Sequence, residues 1–258
     1  MKIIRFILAA MLLLSFAYSQ IVRPRNQDFD PKPQANPKNP FDFFGEMHND
    51  GVKEIGDLLG WRRSPKDTIY AKTVWYMTKE GSKDFAGMYA ARKASFQAKD
   101  MPSMDSMLVK QGASKMDILY IRKLMALLDN TSLTSRQAYI TEVKKLEDQV
   151  MAEPGITTDM GNLILASASV ARYSVEFWDG MAQSNPEVVG ISAGSTSGES
   201  FVKVKDVVKG DVKGAIKGAI VTGITGFLGG GPAGGLAGAG AGALGGAIGG
   251  SIAAALFD

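Results

Sequence analysis

The sequence predicts an all-α protein, a helical bundle domain followed by a Gly/Ala-rich glycine-zipper helical hairpin. Three observations carry that reading. Through the middle of the chain, apolar residues recur at helical spacing between capping residues and proline or glycine stops. Near the C-terminus, glycine returns at every fourth position: Gly226, Gly230, Gly234, Gly238, Gly242, Gly246 and Gly250. Over the same region, from Gly218 to Phe257, no side chain is charged.

The first residues have the layout of a secretory signal peptide, here 1–19. Lys2 and Arg5 precede an apolar run from Ile7 to Leu14, and the small residues Ala17 and Ser19 come just before Gln20. The run is too short for a span, which needs roughly 20 apolar residues. Export is therefore expected, either to the outside or to a cell envelope (periplasm or outer membrane). With no cysteine in 258 residues, the exported chain has neither disulfide staples nor a lipoprotein anchor and must hold together by core burial. Removing Lys2 and Arg5 from the 29 basic residues leaves 27, against 26 acidic ones. A mature chain so near neutrality has no concentrated basic face for nucleic acid.

Residues 20–40 read as a Pro-rich linker, because Pro24, Pro31, Pro33, Pro37 and Pro40 forbid a helix. The helical domain is expected over 41–189. Thr68–Thr78 is rich in β-branched and aromatic residues, but a lone strand would lack a partner, so helix is favoured. Lys83–Lys99 is a further helical candidate, and Asp100–Gly112 reads as a loop with a short turn. Ile118–Leu128 is an apolar helix. Thr134 or Ser135 can cap the next one, where Tyr139, Val143, Leu146 and Val150 share a stripe, Lys144 and Asp148 are spaced to pair, and Pro154-Gly155 ends the run. A segment from Met160 to Ala182 is apolar around most of its girth and is expected at the centre of the bundle.

Glycine, serine and threonine mark a linker at 190–200, and 201–258 is expected to be a basic helix plus the zipper hairpin. A four-residue repeat keeps glycines on one slowly drifting helix face, where a second backbone can approach closely. Glycine costs about 1 kcal/mol relative to alanine in an exposed helix, so such a ladder calls for close packing or a membrane. The uncharged stretch would be about 60 Å long as one helix, roughly twice a bilayer core. Gly229-Gly230-Gly231-Pro232 is the natural break, giving helices near 202–228 and 233–257. Upstream, Lys205, Lys209, Lys213 and Lys217 form a basic stripe suited either to an anionic lipid surface or to a solvated helix face with Asp206 and Asp211 as local partners. Gly210, Gly214 and Gly218 make an adjacent smooth face. Membrane lipid and a homo-oligomeric or helical protein partner are the expected associations.

The small-residue spacing resembles the glycine-zipper regions of bacterial envelope proteins and of two-peptide bacteriocins, which implies paired helices that make membranes leaky. NPFDFFGEMHND at 39–50 and ARYSVEFW at 171–178 are similar to an uncharacterised family of exported bacterial proteins, which implies architecture only.

Little in the chain suggests catalysis. His48 is the sole histidine, so zinc sites of several His or Cys ligands cannot be assembled, and no G-x-S-x-G turn is present to serve it. His48 and Asn49 are expected to bond backbone groups at a helix end. Asp42, Glu46, Asp50 and Glu54 read as a solvated acidic stripe. Glu176 and Asp179 flank Phe177 and Trp178, aromatics that are expected in the core. Asn130-Thr131-Ser132 is a glycosylation sequon, expected to be silent in a bacterium. The chain is expected to be no enzyme and to need no cofactor or metal.

Overall fold

Serine and threonine side chains cap four of the helices, and glycine or proline ends several. The structure, a computed structural model, describes residues 32–79, 103–192, 195–222 and 241–256. The chain divides at Lys32, and the described helices all belong to the unit Pro33–Asp258. Among the described residues there are eight α-helices and no strand. They are α1 (Phe43–Leu59), α2 (Lys66–Lys79), α3 (Met104–Lys110), α4 (Lys115–Asp129), α5 (Arg136–Ala152), α6 (Thr158–Ser184), α7 (Ser197–Thr222) and α8 (Ala241–Leu256). The signal peptide, the candidate helix at 83–99, the break at 229–232 and the ladder positions Gly226, Gly230, Gly234 and Gly238 lie outside the described residues.

The all-helical class holds, including the Thr68–Thr78 segment, which lies inside α2. A short helix, α3, occupies most of the loop expected at 100–112. The start of α4 is a capping box: Ser114 Oγ accepts from the Asp117 amide at 3.1 Å, and Asp117 Oδ2 accepts from the Ser114 amide at 2.7 Å. Asp117 Oδ1 also accepts from the Thr157 amide at 2.9 Å, so the same side chain ties the start of α4 to the start of α6. Ser135 caps α5. Gly60, in the left-handed conformation that glycine allows, closes α1.

Helix α6 is the axis of the bundle, as its apolar girth foretold. Leu163, Ile164, Val170, Tyr173, Val175 and Trp178 are all buried on it, and α1, α4, α5, α7 and α8 pack around it.

Two expected linkers end earlier than the composition suggested. Residues 33–40 form successive turns with Gln34, Asn36 and Asn39 buried, so this stretch is a strap built into the body. Prolines forbid a helix but not turns, and the intervening amides supply the hydrogen bonds that a helix would have made internally. At the other linker, a 3-10 turn covers Pro186–Val189 and α7 begins at Ser197, so α6 and α7 pack along each other on either side of it.

Helices α7 and α8 meet through glycine on both sides. A Cβ added at Gly250 would lie 2.7 Å from the Gly210 carbonyl oxygen, and one at Gly210 would lie 2.8 Å from Ala254 Cβ. Gly214 and Gly246 face each other so closely that a Cβ on either would overlap the other's carbonyl oxygen. Because 210 faces 250 and 254, while 218 faces 246, the two helices run antiparallel. Gly242 lies one turn further along α8. The remaining faces of α8 are covered by α1, α2 and α6, which bury Leu244, Ile248 and Ile252. Among the described residues no helix is long and apolar enough to cross a membrane.

Replacing Gly214 or Gly246 with alanine should force the two backbones apart and cost about 1–3 kcal/mol or more. Gly180 on α6 has nothing within 4 Å of its added Cβ, so Gly180→Ala should stabilise by about 0.5–1 kcal/mol. Urea denaturation of the three variants checks both signs.

Candidate functional site

Polar side chains that a helical bundle would normally keep in water form a buried seam along α6. The first part centres on Arg172, whose guanidinium is wholly buried. Its Nη2 donates to Asp42 Oδ1 at 2.6 Å and to Glu147 Oε1 at 2.9 Å; Nε donates to Glu147 at 3.1 Å, and Nη1 donates to the Gln34 carbonyl. The strap completes the set. Asn36 Nδ2 donates to Glu147 Oε2 at 2.6 Å, and Asn39 Nδ2 donates to Glu147 Oε1 at 2.7 Å and to the Leu165 carbonyl at 2.9 Å. Tyr173 donates to Asp42 Oδ2 at 3.0 Å.

A buried charge is tolerable only when paired and hydrogen-bonded, and each group here is both. Burial nevertheless raises the Glu147 carboxyl above its ordinary value, with Arg172 and the two asparagines opposing. Burial likewise raises the Tyr173 phenol, helped by Asp42.

The second part lies where α1, α5, α6, α7 and α8 converge. His48, Ser174, Asp211 and Ser251 are fully buried. Asp211 Oδ2 accepts from Ser174 and, at 3.2 Å, from Trp178 Nε1, which also reaches Ser251 Oγ at 3.1 Å. His48 Nε2 is 3.8 Å from Asp211 Oδ2. Asn49 sits between His48 Nδ1, at 3.1 Å, and the Tyr173 carbonyl, to which it donates at 2.8 Å. Burial pushes Asp211 up to about 7, opposed by its donors Ser174, Ser251 and Trp178. It pushes His48 down to about 4, opposed by Asn49. Among the described residues the Tyr139 hydroxyl, His48 Nε2 and Asp211 Oδ1 have no hydrogen-bond partner.

Several expectations change here. Asp42 is not part of a solvated stripe but a core ligand of Arg172, although Asp50 does face solvent and Glu54 pairs with Lys79 at 2.6 Å. His48 lies inside α1 rather than at its end, and only Asn49 reaches a backbone carbonyl. Lys144 and Asp148 do not bind each other: Lys144 donates to the Pro33 carbonyl at 2.7 Å, and Asp148 meets Lys38 at 3.4 Å. Glu176 and Asp179 both hold Arg136, at 3.0 and 3.2 Å, while Trp178 is in the core as expected.

The basic stripe is divided. Lys205 is buried and donates to the Asn130 and Leu133 carbonyls at 2.7 and 3.2 Å, just past the end of α4. Lys209 pairs with Asp129, while Lys213 and Lys217 are half-buried. Asp211 turns away from the lysines into the core.

The sequence held a signal for these residues that composition hid. Arg172 follows Leu165 and Ala168 and precedes Val175; Glu147 follows Ile140 and Val143; Asp211 follows Val204 and Val208 and precedes Ala215. Each stands where helical spacing calls for an apolar residue.

A surface cleft of about 630 Å³ lies apart from the seam, between the ends of α1 and α8, the 3-10 turn and α7. Trp61, Arg62, Arg63, Lys203, Glu187 and Asp206 line it. Trp61 has a positive φ of 52°, held by a 3.0 Å bond from its indole to Asp57 and by its ring lying over Gly56.

The seam contains histidine, aspartate and serine, but Ser174 donates to Asp211 and not to His48, and all three are closed to solvent. Among the described residues no group of three His, Cys, Asp or Glu side chains could hold a metal ion. No protein-family model matches the chain, no curated protein matches it in sequence, and no solved structure matches it in fold.

Arg172→Met should cost about 3–5 kcal/mol, because two buried carboxylates lose their cation. The same variant should loosen the strap, so limited proteolysis should cut within residues 33–41 much faster than in the parent protein. Glu147→Gln should cost less, since a neutral amide keeps the shape and burial already disfavours the charged carboxylate.

Proposed function

We propose that this is an exported, non-enzymatic protein whose helical body stores a glycine-zipper hairpin and presents it to a membrane, where the hairpin inserts or oligomerises. The observation that supports it is the α7–α8 pair. An uncharged helix lies against glycines of its neighbour and is sheathed by α1, α2 and α6. Smooth faces of this kind associate without needing water to drive them, which is the requirement inside lipid. A permeabilising, bacteriocin-like action is the sharpest form of the proposal.

Release from the body is part of the same proposal. Lys205 and Lys209 are engaged at the end of α4 in the stored state. They would join Lys213 and Lys217 at an anionic surface only after α7 leaves it, each then contributing about 1 kcal/mol near the lipid.

A second reading is favoured by the pairing of Gly210 and Gly214 with Gly246 and Gly250 inside one chain. Here the zipper serves the protein's own packing, and the body acts as a structural or interaction module of the cell envelope.

Vesicles containing phosphatidylglycerol separate the two. The membrane reading expects the full-length mature protein to float with the vesicles and release an entrapped dye, with both effects weakened by salt. Absence of flotation and leakage at neutral and acid pH would remove the membrane reading and leave the envelope module.

A further inference from the structure

We infer that the seam closes on a neutral pair, with one proton on Asp211 and none on Nε2 of His48. In mildly acid solution, folding then hands a proton from histidine to aspartate and leaves the pair's proton count unchanged. This is independent of any membrane role.

The geometry fixes the protonation state first. Asn49 Nδ2 donates to the Tyr173 carbonyl, so its Oδ1 is the atom facing His48 Nδ1. An amide oxygen only accepts, so Nδ1 must carry a hydrogen. Nε2 is then either bare or the second N–H of an imidazolium. An imidazolium–carboxylate bond is expected at about 2.7–2.9 Å, yet Nε2 is 3.8 Å from Asp211 Oδ2 and has no other partner among the described residues. A buried N⁺–H without an acceptor is far costlier than a bare nitrogen.

On the other side, Oδ2 of Asp211 takes the Ser174 and Trp178 donors and Ser251 lies beside the carboxyl, while among the described residues Oδ1 has no hydrogen-bond partner. A neutral carboxyl leaves no uncompensated charge on that unpartnered oxygen, whereas a carboxylate would. The groups facing the pair from each packed element are Tyr139 on α5, Ser174 and Trp178 on α6 and Ser251 on α8. Tyr139 stays neutral, because burial and Asp211 both raise its phenol. Among the described residues no cation and no second carboxylate acts on His48 or Asp211.

The displaced titrations agree and give the signs. Asp211 sits near 7 when folded against 3.8 free, so the folded chain holds a proton that the unfolded chain has lost, and stability from this group falls as pH rises through that window. His48 sits near 4 against 6.5, so the unfolded chain takes a proton that the folded one refuses, and stability falls as pH drops through that window. Between about 4 and 6.5 each state carries one proton on the pair, and the two dependences cancel.

The chain has one histidine, so imidazole nitrogen NMR of the intact mature protein reads it directly. At pH 5.5 a free histidine is about nine-tenths charged. His48 should instead appear as the neutral Nδ1–H tautomer and protonate only near pH 4. An imidazolium at pH 5.5, or the Nε2–H tautomer, overturns the inference. His48→Gln and Asp211→Asn provide the second arm, with stability in urea measured across pH relative to the parent. As pH falls from 7 to 4, the unfolding constant should drop in the first and rise in the second, each by on the order of 10²–10³-fold. Parallel curves in all three proteins overturn it as well, and if either variant fails to fold the nitrogen spectra decide alone.

Discussion

A guanidinium taken out of water must be surrounded by acceptors, and on α6 no neighbouring residue supplies them to Arg172. They come from α5, from the residue before α1 and from the strap, which together deliver two carboxylates and a backbone carbonyl. Meeting this demand sets the rest of the bundle. Asp42, drawn in by Arg172 and Tyr173, fixes the start of α1 against α6, where Ser169 donates to the Asp42 carbonyl at 2.7 Å and accepts from the Gly45 amide at 3.0 Å. Gly45 permits that approach, since a Cβ there would strike the Tyr173 ring. His48 follows less than two helical turns later, and its position against Asp211 is thus inherited from the Arg172 contacts.

Helix existence was legible because it is written locally. Caps such as Ser114 and Ser135, the apolar stripe of α5 and the four-residue glycine spacing of α7 and α8 need only their sequence neighbours to be recognised. The polar seam was not, because its meaning lies in partners far along the chain. A lone Asp or Arg on an apolar stripe looks like an interruption until another segment answers it. Asp211 looked like a partner for nearby lysines for the same reason. The strap was misread through its prolines, which exclude a helix and say nothing of whether Asn36 and Asn39 will find a carboxylate.

The glycine faces of α7 and α8 and the polar seam meet on the same helices. Asp211 follows Gly210 directly on α7, and Ser251 follows Gly250 on α8, so close backbone contact on one face and the buried hydrogen bonds on the next are set by a single register. A shift of α8 along α7 by one residue would lose both. Tight packing and polar matching therefore reinforce each other, which is the consistency across levels that gives a fold a unique native state.

The strap has a kinetic consequence. Its contacts to Arg172 and Glu147 span more than a hundred residues, so they cannot form until the intervening chain has closed its loops. The α1–α6 contacts span as much chain, so the strap and the start of α1 close over α6 as one long-range event. Residues 33–40 thus tie their own order to that of the helices they bridge: the strap has its buried partners only while α5 and α6 hold Glu147 and Arg172 together.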